Sequence, residues 1–223
     1  MIKISNMTKV FCFGSENERT ALDNVSLEIA DGEMIAIIGK SGSGKSTLIN
    51  IMACIDDYDS GEYQLDHILI KYLSDHLLSR IRNKKIGLVM QDFALIEEFN
   101  AYDNVVLPLD FSQKRKVNKK DIVMEALETI GIQELAYQSV STMSGGQKQR
   151  VAIARAIVNS PRVLLADEPT GALDSMTAEE IMTVFKMLNA EGMTVVIVTH
   201  DVEIARQCDR IFKISDGAIC DLI

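Results

Sequence analysis

At 223 residues the chain is long enough to bury one substantial core, and nothing in its composition divides it into independent domains. The hydrophobic content of 47% is ordinary for a globular protein, while a net charge of −9 is unsuited to coating nucleic acid, so no nucleic-acid partner is expected. No apolar run approaches the ~20 residues that span a bilayer, and the N-terminus lacks the basic and apolar regions of a signal peptide, so a cytoplasmic chain is expected.

Ile2 and Ile4 alternate with polar residues, as do Val25, Leu27 and Ile29 ahead of the turn signal Asp31-Gly32, which predicts half-buried antiparallel strands. Between them Phe11-Cys12-Phe13-Gly14 opens a polar, turn-rich stretch running to Thr20. Either phenylalanine could stack on a nucleotide base or belong to the core. Glu33 to Ile38 reads as a buried strand and Thr47 to Met52 as the continuation of a helix. At their junction stands Gly39-Lys40-Ser41-Gly42-Ser43-Gly44-Lys45-Ser46, which fits G-x-x-x-x-G-K-[ST]. In such a place backbone N–H groups wrap a phosphate chain and the helix N-terminus adds positive potential. Lys45 would reach the β- and γ-phosphates, and Ser46 has the hydroxyl that would ligate Mg²⁺. An ordinary glycine-rich turn explains neither the Gly-Lys-Ser ending nor the strand and helix flanks.

Tyr58-Asp59-Ser60-Gly61 is a turn, Glu62 to Ile70 extended structure, and Ser74 a cap for a short helix bearing Leu77, Leu78 and Ile81. Ile86 to Met90 reads as another buried strand, delivering Gln91 and Asp92 at its C-terminal end, where ligands bind in open α/β sheets. From Phe93 to about Ser160 the pattern is helical without a clear strand, which predicts a helical lobe (93–160) inserted into a sheet domain (1–92 and 161–223). Asn118 caps a helix with Ile122, Val123, Ala126, Leu127 and Ile130 as its stripe, stopped by Gly131. Lys114-Arg115-Lys116 with Lys119 and Lys120 reads as a solvated face, contact with anionic lipid headgroups being the alternative.

Ser144-Gly145-Gly146-Gln147 precedes a helical run from about Lys148 to Val158, a second helix N-terminus suited to a phosphate anion or else a plain serine cap. Val163 to Ala166 is an apolar strand ending in Asp167 and Glu168, adjacent carboxylates that call for a cation and a water to receive them. After the Pro169–Asp174 loop, Thr177 and Glu180 predict a capping box for a helix carrying Ile181, Val184, Phe185 and Leu188. Met193 to Thr199 is a further buried strand with His200 directly after it, and Ile211–Ser215 with Ala218–Cys220 form a closing hairpin. Cys12, Cys54, Cys208 and Cys220 show no metal-like spacing and read as reduced thiols, mostly packing residues; His67 and His76 read as surface residues.

Taken together these residues resemble, over essentially the whole chain, the nucleotide-binding subunit of ATP-binding cassette (ABC) transporters, because the family's motifs occur in the family's order. Gly39 to Ser46, with Thr47 following, looks like its Walker A, Gln91 like its Q-loop and Ser144-Gly145-Gly146-Gln147 like its signature motif. Asp167 and Glu168 resemble Walker B with the catalytic carboxylate, Ala172-Leu173-Asp174 the D-loop, and His200 the switch histidine. The chain departs from the pattern at Met143 and Gly171, where leucine and serine are usual, and at Phe11, where tyrosine is commoner. The resemblance implies an α/β fold: a RecA-like P-loop core of mostly parallel sheet, an antiparallel β subdomain and an inserted helical subdomain. It implies ATP and Mg²⁺ as ligands, with Phe11 stacking on adenine and Ser46, Gln91 and Asp167 around the metal. Glu168 would position the attacking water while His200 and Gln91 sense the γ-phosphate. It also implies two partners: a transmembrane permease subunit, which keeps the chain on the cytoplasmic face of the membrane, and a second copy of the chain. Ser144 and Gly146 of one copy would close on the ATP held by Lys45 of the other, with Asp174 at the contact. Within the family, the Ser43–Ile51 run is most similar to the lipoprotein-release, macrolide-efflux, cell-division and peptide-antibiotic-resistance group. A soluble ABC-type ATPase acting without a permease is the alternative.

Overall fold

The computed structural model describes residues 1–112 and 118–222. Alternating apolar residues build a four-stranded antiparallel sheet from β1 (Ile2–Phe11), β2 (Arg19–Ile29), β4 (Ser60–Leu65) and β5 (Ile68–Leu69), in the order β2-β1-β4-β5. Ile2, Ile4, Val25, Leu27 and Ile29 turn one face of it inward, where they are almost fully buried. The near-continuous apolar runs form a second sheet of six strands. It comprises β3 (Met34–Ile38), β6 (Ile86–Val89), β7 (Val163–Asp167), β8 (Thr194–Thr199), β9 (Arg210–Ser215) and β10 (Ala218–Leu222) in the order β10-β9-β3-β8-β7-β6. Only the β9–β10 hairpin pairs antiparallel there; every other neighbouring pair is parallel.

One core fills the space between the two sheets, with helix α1 (Lys45–Met52) inside it, so Leu48, Ile49 and Ile51 are buried against Ile35, Ile37 and Val198. A second core lies on the other face of the parallel sheet, under α3 (Ala101–Asp110), α4 (Lys119–Thr129), α5 (Gly145–Ile157) and α6 (Ser175–Ala190). Helices α2 (Asp75–Lys85) and α7 (Val202–Ala205) complete the set. Among the described residues from 93 to 160, the only extended pairing is an isolated bridge between Asn100 and Ser139. Asn118 caps α4 as its sequence predicts, accepting from the Lys120 amide at 3.2 Å.

Several local expectations are corrected. Helix α6 starts before the predicted capping box: Asp174 is its N-cap, accepting from the Met176 and Thr177 amides, and Glu180 pairs with Arg150 at 3.0 Å instead. Aspartate caps as well as threonine does, so the earlier residue wins where Leu173 is already packed against α5. Helix α5 starts at Gly145, not near Lys148, because Ser144 and Gln147 close a reciprocal capping box. Ser74 stands at the N-cap of α2 without a side-chain bond there. Cys12 and Cys220 are exposed, leaving packing roles only to Cys54 and Cys208, whose thiols burial pushes up to about 11 and about 12. His67 and His76 are exposed, as expected. The run Lys114-Arg115-Lys116 lies outside the described residues; its neighbour Lys119 pairs with Asp110.

Candidate functional site

The glycine-rich segment links the end of β3 to α1 and wedges between two other elements. The Gly217 amide of the β9–β10 turn donates to the Ser43 carbonyl at 3.1 Å, and Gly44 faces β2. Gly44 has φ +107°, and a Cβ there would stand 2.4 Å from the Ala21 carbonyl oxygen, so neither its conformation nor its surroundings admit a side chain. Because Gly44 caps α1 without a side-chain bond, the first-turn N–H groups remain directed at the loop. Lys45 is buried and folds back so that Nζ donates to the Gly39 and Lys40 carbonyls at 2.6 and 3.0 Å. The buried Ser43 Oγ has no partner among the described residues, which suits a loop built to face a polar ligand. A 190 Å³ cleft adjoins the loop, lined by Gly42, Gly44, Lys45, Ser46 and Thr47 on one side and by Phe11 and Arg19 on the other. Phe13, 84% exposed, does not line it, and neither phenylalanine is buried in the core. Ser41 is exposed.

Strand β7, locked between β6 and β8, carries Asp167 and Glu168 to the same end of the sheet. Burial raises the Asp167 carboxyl above its usual range; the Ser46 hydroxyl bonded to it offsets part of this, the Glu168 charge adds to the rise, and Lys45 opposes it. Ser46 and Asp167 thus set a hydroxyl beside a carboxylate that is disfavoured as a bare anion, a pair that fits Mg²⁺. Glu168 adopts φ +46°, held by its amide donating to the Val198 carbonyl at 2.8 Å. Its carboxylate is bonded at both oxygens: the Thr199 hydroxyl donates to Oε2 at 3.1 Å, and His200 Nδ1 lies 2.9 Å from Oε1. Gln91 and Glu168 meet at Gly171, where a Cβ would lie 3.6 Å from Glu168 Cβ and 3.9 Å from Gln91 Nε2.

The Ser144–Gln147 cap faces elsewhere. Helix α5 packs on α3, α4, α6 and β6, whereas α1 packs on β2, β7 and β8. A Cβ at Gly145 would approach Leu173 to 3.3 Å and one at Gly146 would stand 2.5 Å from Thr177 Cγ2, so the serine-glycine cap is pressed against Asp174 and the start of α6. One chain therefore brings together Lys45, Ser46, Asp167, Glu168, Gln91 and His200, and leaves Ser144, Gly145, Gly146, Gln147 and Asp174 as a separate cluster. Two site residues escape sequence reasoning. Thr199 could have been found as the strand-end hydroxyl beside His200; Arg19 depends on a strand register that no local pattern gives.

Comparison with known proteins identifies the family. The ABC transporter family model matches residues 22–171. The chain is 47% identical over 219 residues to the ABC transporter ATP-binding protein YknY of Bacillus subtilis, covering 98% of this chain and 95% of that one. It is 41% identical over 219 residues to the macrolide export ATP-binding/permease protein MacB of Escherichia coli, covering 98% of this chain but only 34% of MacB. Among solved structures it superposes with a TM-score of 0.92 on the dimeric ATP-binding cassette MJ0796 in a post-hydrolysis state bound to ADP and Pi, at 43% identity, covering 100% of this chain and 98% of that one. MJ0796 is a Methanocaldococcus jannaschii protein. The chain belongs to the ABC transporter family, as an ATP-binding ATPase subunit.

Proposed function

We propose that this ATPase works as one half of a head-to-tail homodimer that clamps two ATP molecules and drives a separate membrane permease in export, extraction or force transmission. The observation that carries the reading is the separation of two phosphate-directed helix N-termini, at Lys45 and at Ser144, onto different surfaces of one chain. A two-fold axis lets the Ser144–Gln147 cap of one copy cover the γ-phosphate held by Lys45 of the other, and Asp174 then lies at the contact. The dimeric form of the similar MJ0796 cassette supports it.

Within each site, adenine lies on Phe11 and the triphosphate follows the loop from Gly39 to Thr47, with Lys45 exchanging its two carbonyl partners for β- and γ-phosphate oxygens. Ser46, Gln91 and Asp167 would hold Mg²⁺, which supplies positive charge against the phosphate oxygens. Glu168 accepts a hydrogen bond from the attacking water and aligns it for in-line displacement. His200, beside that carboxylate, and Gln91 report whether the γ-phosphate is present. Loss of that phosphate removes what the partner's cap holds, and the clamp opens.

The helical segment 93–160 is the lobe we assign to the permease. A 630 Å³ groove lies between α2, the end of α3 and α5, floored by Gly87 and edged by Arg80, Phe111 and Arg155. No helix among the described residues is long and apolar enough to cross a membrane, so membrane attachment on the cytoplasmic side would come from that partner. The names of the MacB relatives favour export, and the chain spans only about a third of their length. The test is the ATPase rate per chain across a dilution series. It should fall as dimer dissociates; a constant rate down to monomer would remove the shared site. Purification from membranes should bring a permease with the chain, whereas recovery alone favours a free-standing ATPase.

A further inference from the structure

Phe11 ends β1 and Arg19 begins β2, and the two are direct partners across the antiparallel pair, so their side chains leave the same face of the sheet. The Arg19 guanidinium reaches the phosphate loop, where Nη2 donates to the Gly42 carbonyl oxygen at 2.9 Å. Arg19 makes no ion pair with a carboxylate among the described residues. Lys9, the other cation beside the Phe11 ring, is committed to Asp56 and Asp57. Arg19 therefore bridges the platform and the loop while keeping its charge and most of its donors free.

That position corresponds to one part of the ligand. With adenine on Phe11 and the β- and γ-phosphates at Lys45, the stretch between them is the ribose and the α-phosphate. Arg19 lines the cleft across that stretch. We infer that Arg19 is an additional nucleotide-binding residue, whose guanidinium grips the α-phosphate while its bond to Gly42 holds the loop in register with the base platform. The inference rests on the placement of ATP between Phe11 and Lys45. A planar fork suits the task, because it can serve a carbonyl oxygen and a phosphate oxygen at once.

A bland reading is that Arg19 only braces the loop, and charge separates the two. Arg19→Gln keeps a donor for Gly42 but loses the charge, and Arg19→Met loses both. Dissociation constants for ATP and ADP should be measured on the full chain at low and high salt, alongside kcat and KM, with Lys45→Ala as the control. Both Arg19 variants should weaken ATP and ADP by the same factor, about three- to tenfold for an exposed charge-assisted contact. Their affinities should also depend less on salt, and KM should rise with Kd while kcat at saturation is kept. If Arg19→Gln binds as wild type, or if the loss is the same at every salt concentration, the guanidinium is only a brace and the inference falls. A fall in kcat with unchanged Kd overturns it as well. If Lys45→Ala binds ATP as wild type, the placement of the nucleotide itself fails; if Lys45→Ala loses ATP while Arg19→Gln does not, only the role of Arg19 is lost.

Discussion

His200 Nδ1 and Glu168 Oε1 are 2.9 Å apart, and the Thr199 hydroxyl occupies the other oxygen of the same carboxylate at 3.1 Å. The group we assign to the attacking water is thus oriented from both sides by the end of the adjacent strand. Glu168→Gln keeps the size and most of the packing but replaces an acceptor by an amide nitrogen that cannot align or deprotonate water. We expect ATP binding to persist, turnover to fall by about 10²-fold or more, and an ATP-bound dimer to accumulate in gel filtration. A variant hydrolysing ATP at the normal rate would take Glu168 out of this role.

Thr199 is the less obvious half of that arrangement. Its Oγ1 donates to Glu168 and accepts from the Asp201 amide at 3.0 Å, so one buried hydroxyl fixes both the carboxylate and the turn carrying His200. Thr199→Val should lower kcat by about tenfold, the equivalent of one such bond, with ATP affinity little changed, and Thr199→Ser should restore it. A valine variant that turns over normally, with the loss confined to the serine variant, would show that packing of the methyl group, not the hydroxyl, matters.

These residues differ in how far the sequence reveals them. The phosphate loop, the Asp167-Glu168 strand end and the Ser144 cap are legible because their chemistry is written in consecutive residues, where spacing and element type are fixed together. The parallel strands are legible for the same reason, as apolar runs too short for helices. Helix starts are less so: the pattern around Thr177 and Glu180 satisfies a capping box, yet Asp174 caps the helix because packing of Leu173 on Gly145 decides among local alternatives. Contacts closed over long separations are hidden. Arg155 gripping the Phe93 and Ala94 carbonyls just after Gln91, or Arg19 reaching Gly42, depends on register and crossing that no window of residues contains.

The fit between α5 and α6 yields a paired prediction. A Cβ at Gly146 would stand 2.5 Å from Thr177 Cγ2, whereas Thr177 Oγ1 turns away to donate to Asp174 at 2.6 Å. Gly146→Ala should destabilise the chain by about 1–3 kcal/mol through overpacking and weaken ATP-driven pairing. Adding Thr177→Ser removes the clashing methyl while keeping the bond to Asp174, so the double variant should recover much of the loss in thermal denaturation. If Thr177→Ser recovers nothing, the glycine is required for something other than clearance from Thr177.

Away from the nucleotide, Asp66 gathers Lys85, the Met1 amino group and Arg162 around a side chain only 10% exposed. Burial pushes its carboxyl up, but the bonds and charges of Lys85 and the amino group outweigh this and hold it below its ordinary value of 3.8. A depressed folded-state value means that the unfolded chain takes up the proton first as pH falls. The stabilisation is therefore complete above about pH 5 and disappears as the pH drops through the folded value. Asp66→Asn should lower stability near neutral pH by about 1–2 kcal/mol, since it leaves several cations facing an uncharged amide. The gap between wild type and variant should close on acidification and should be insensitive to pH between about 5.5 and 6.5. A gap that stays constant into the acid range would mean that the asparagine disturbs packing, and that the ion cluster contributes little.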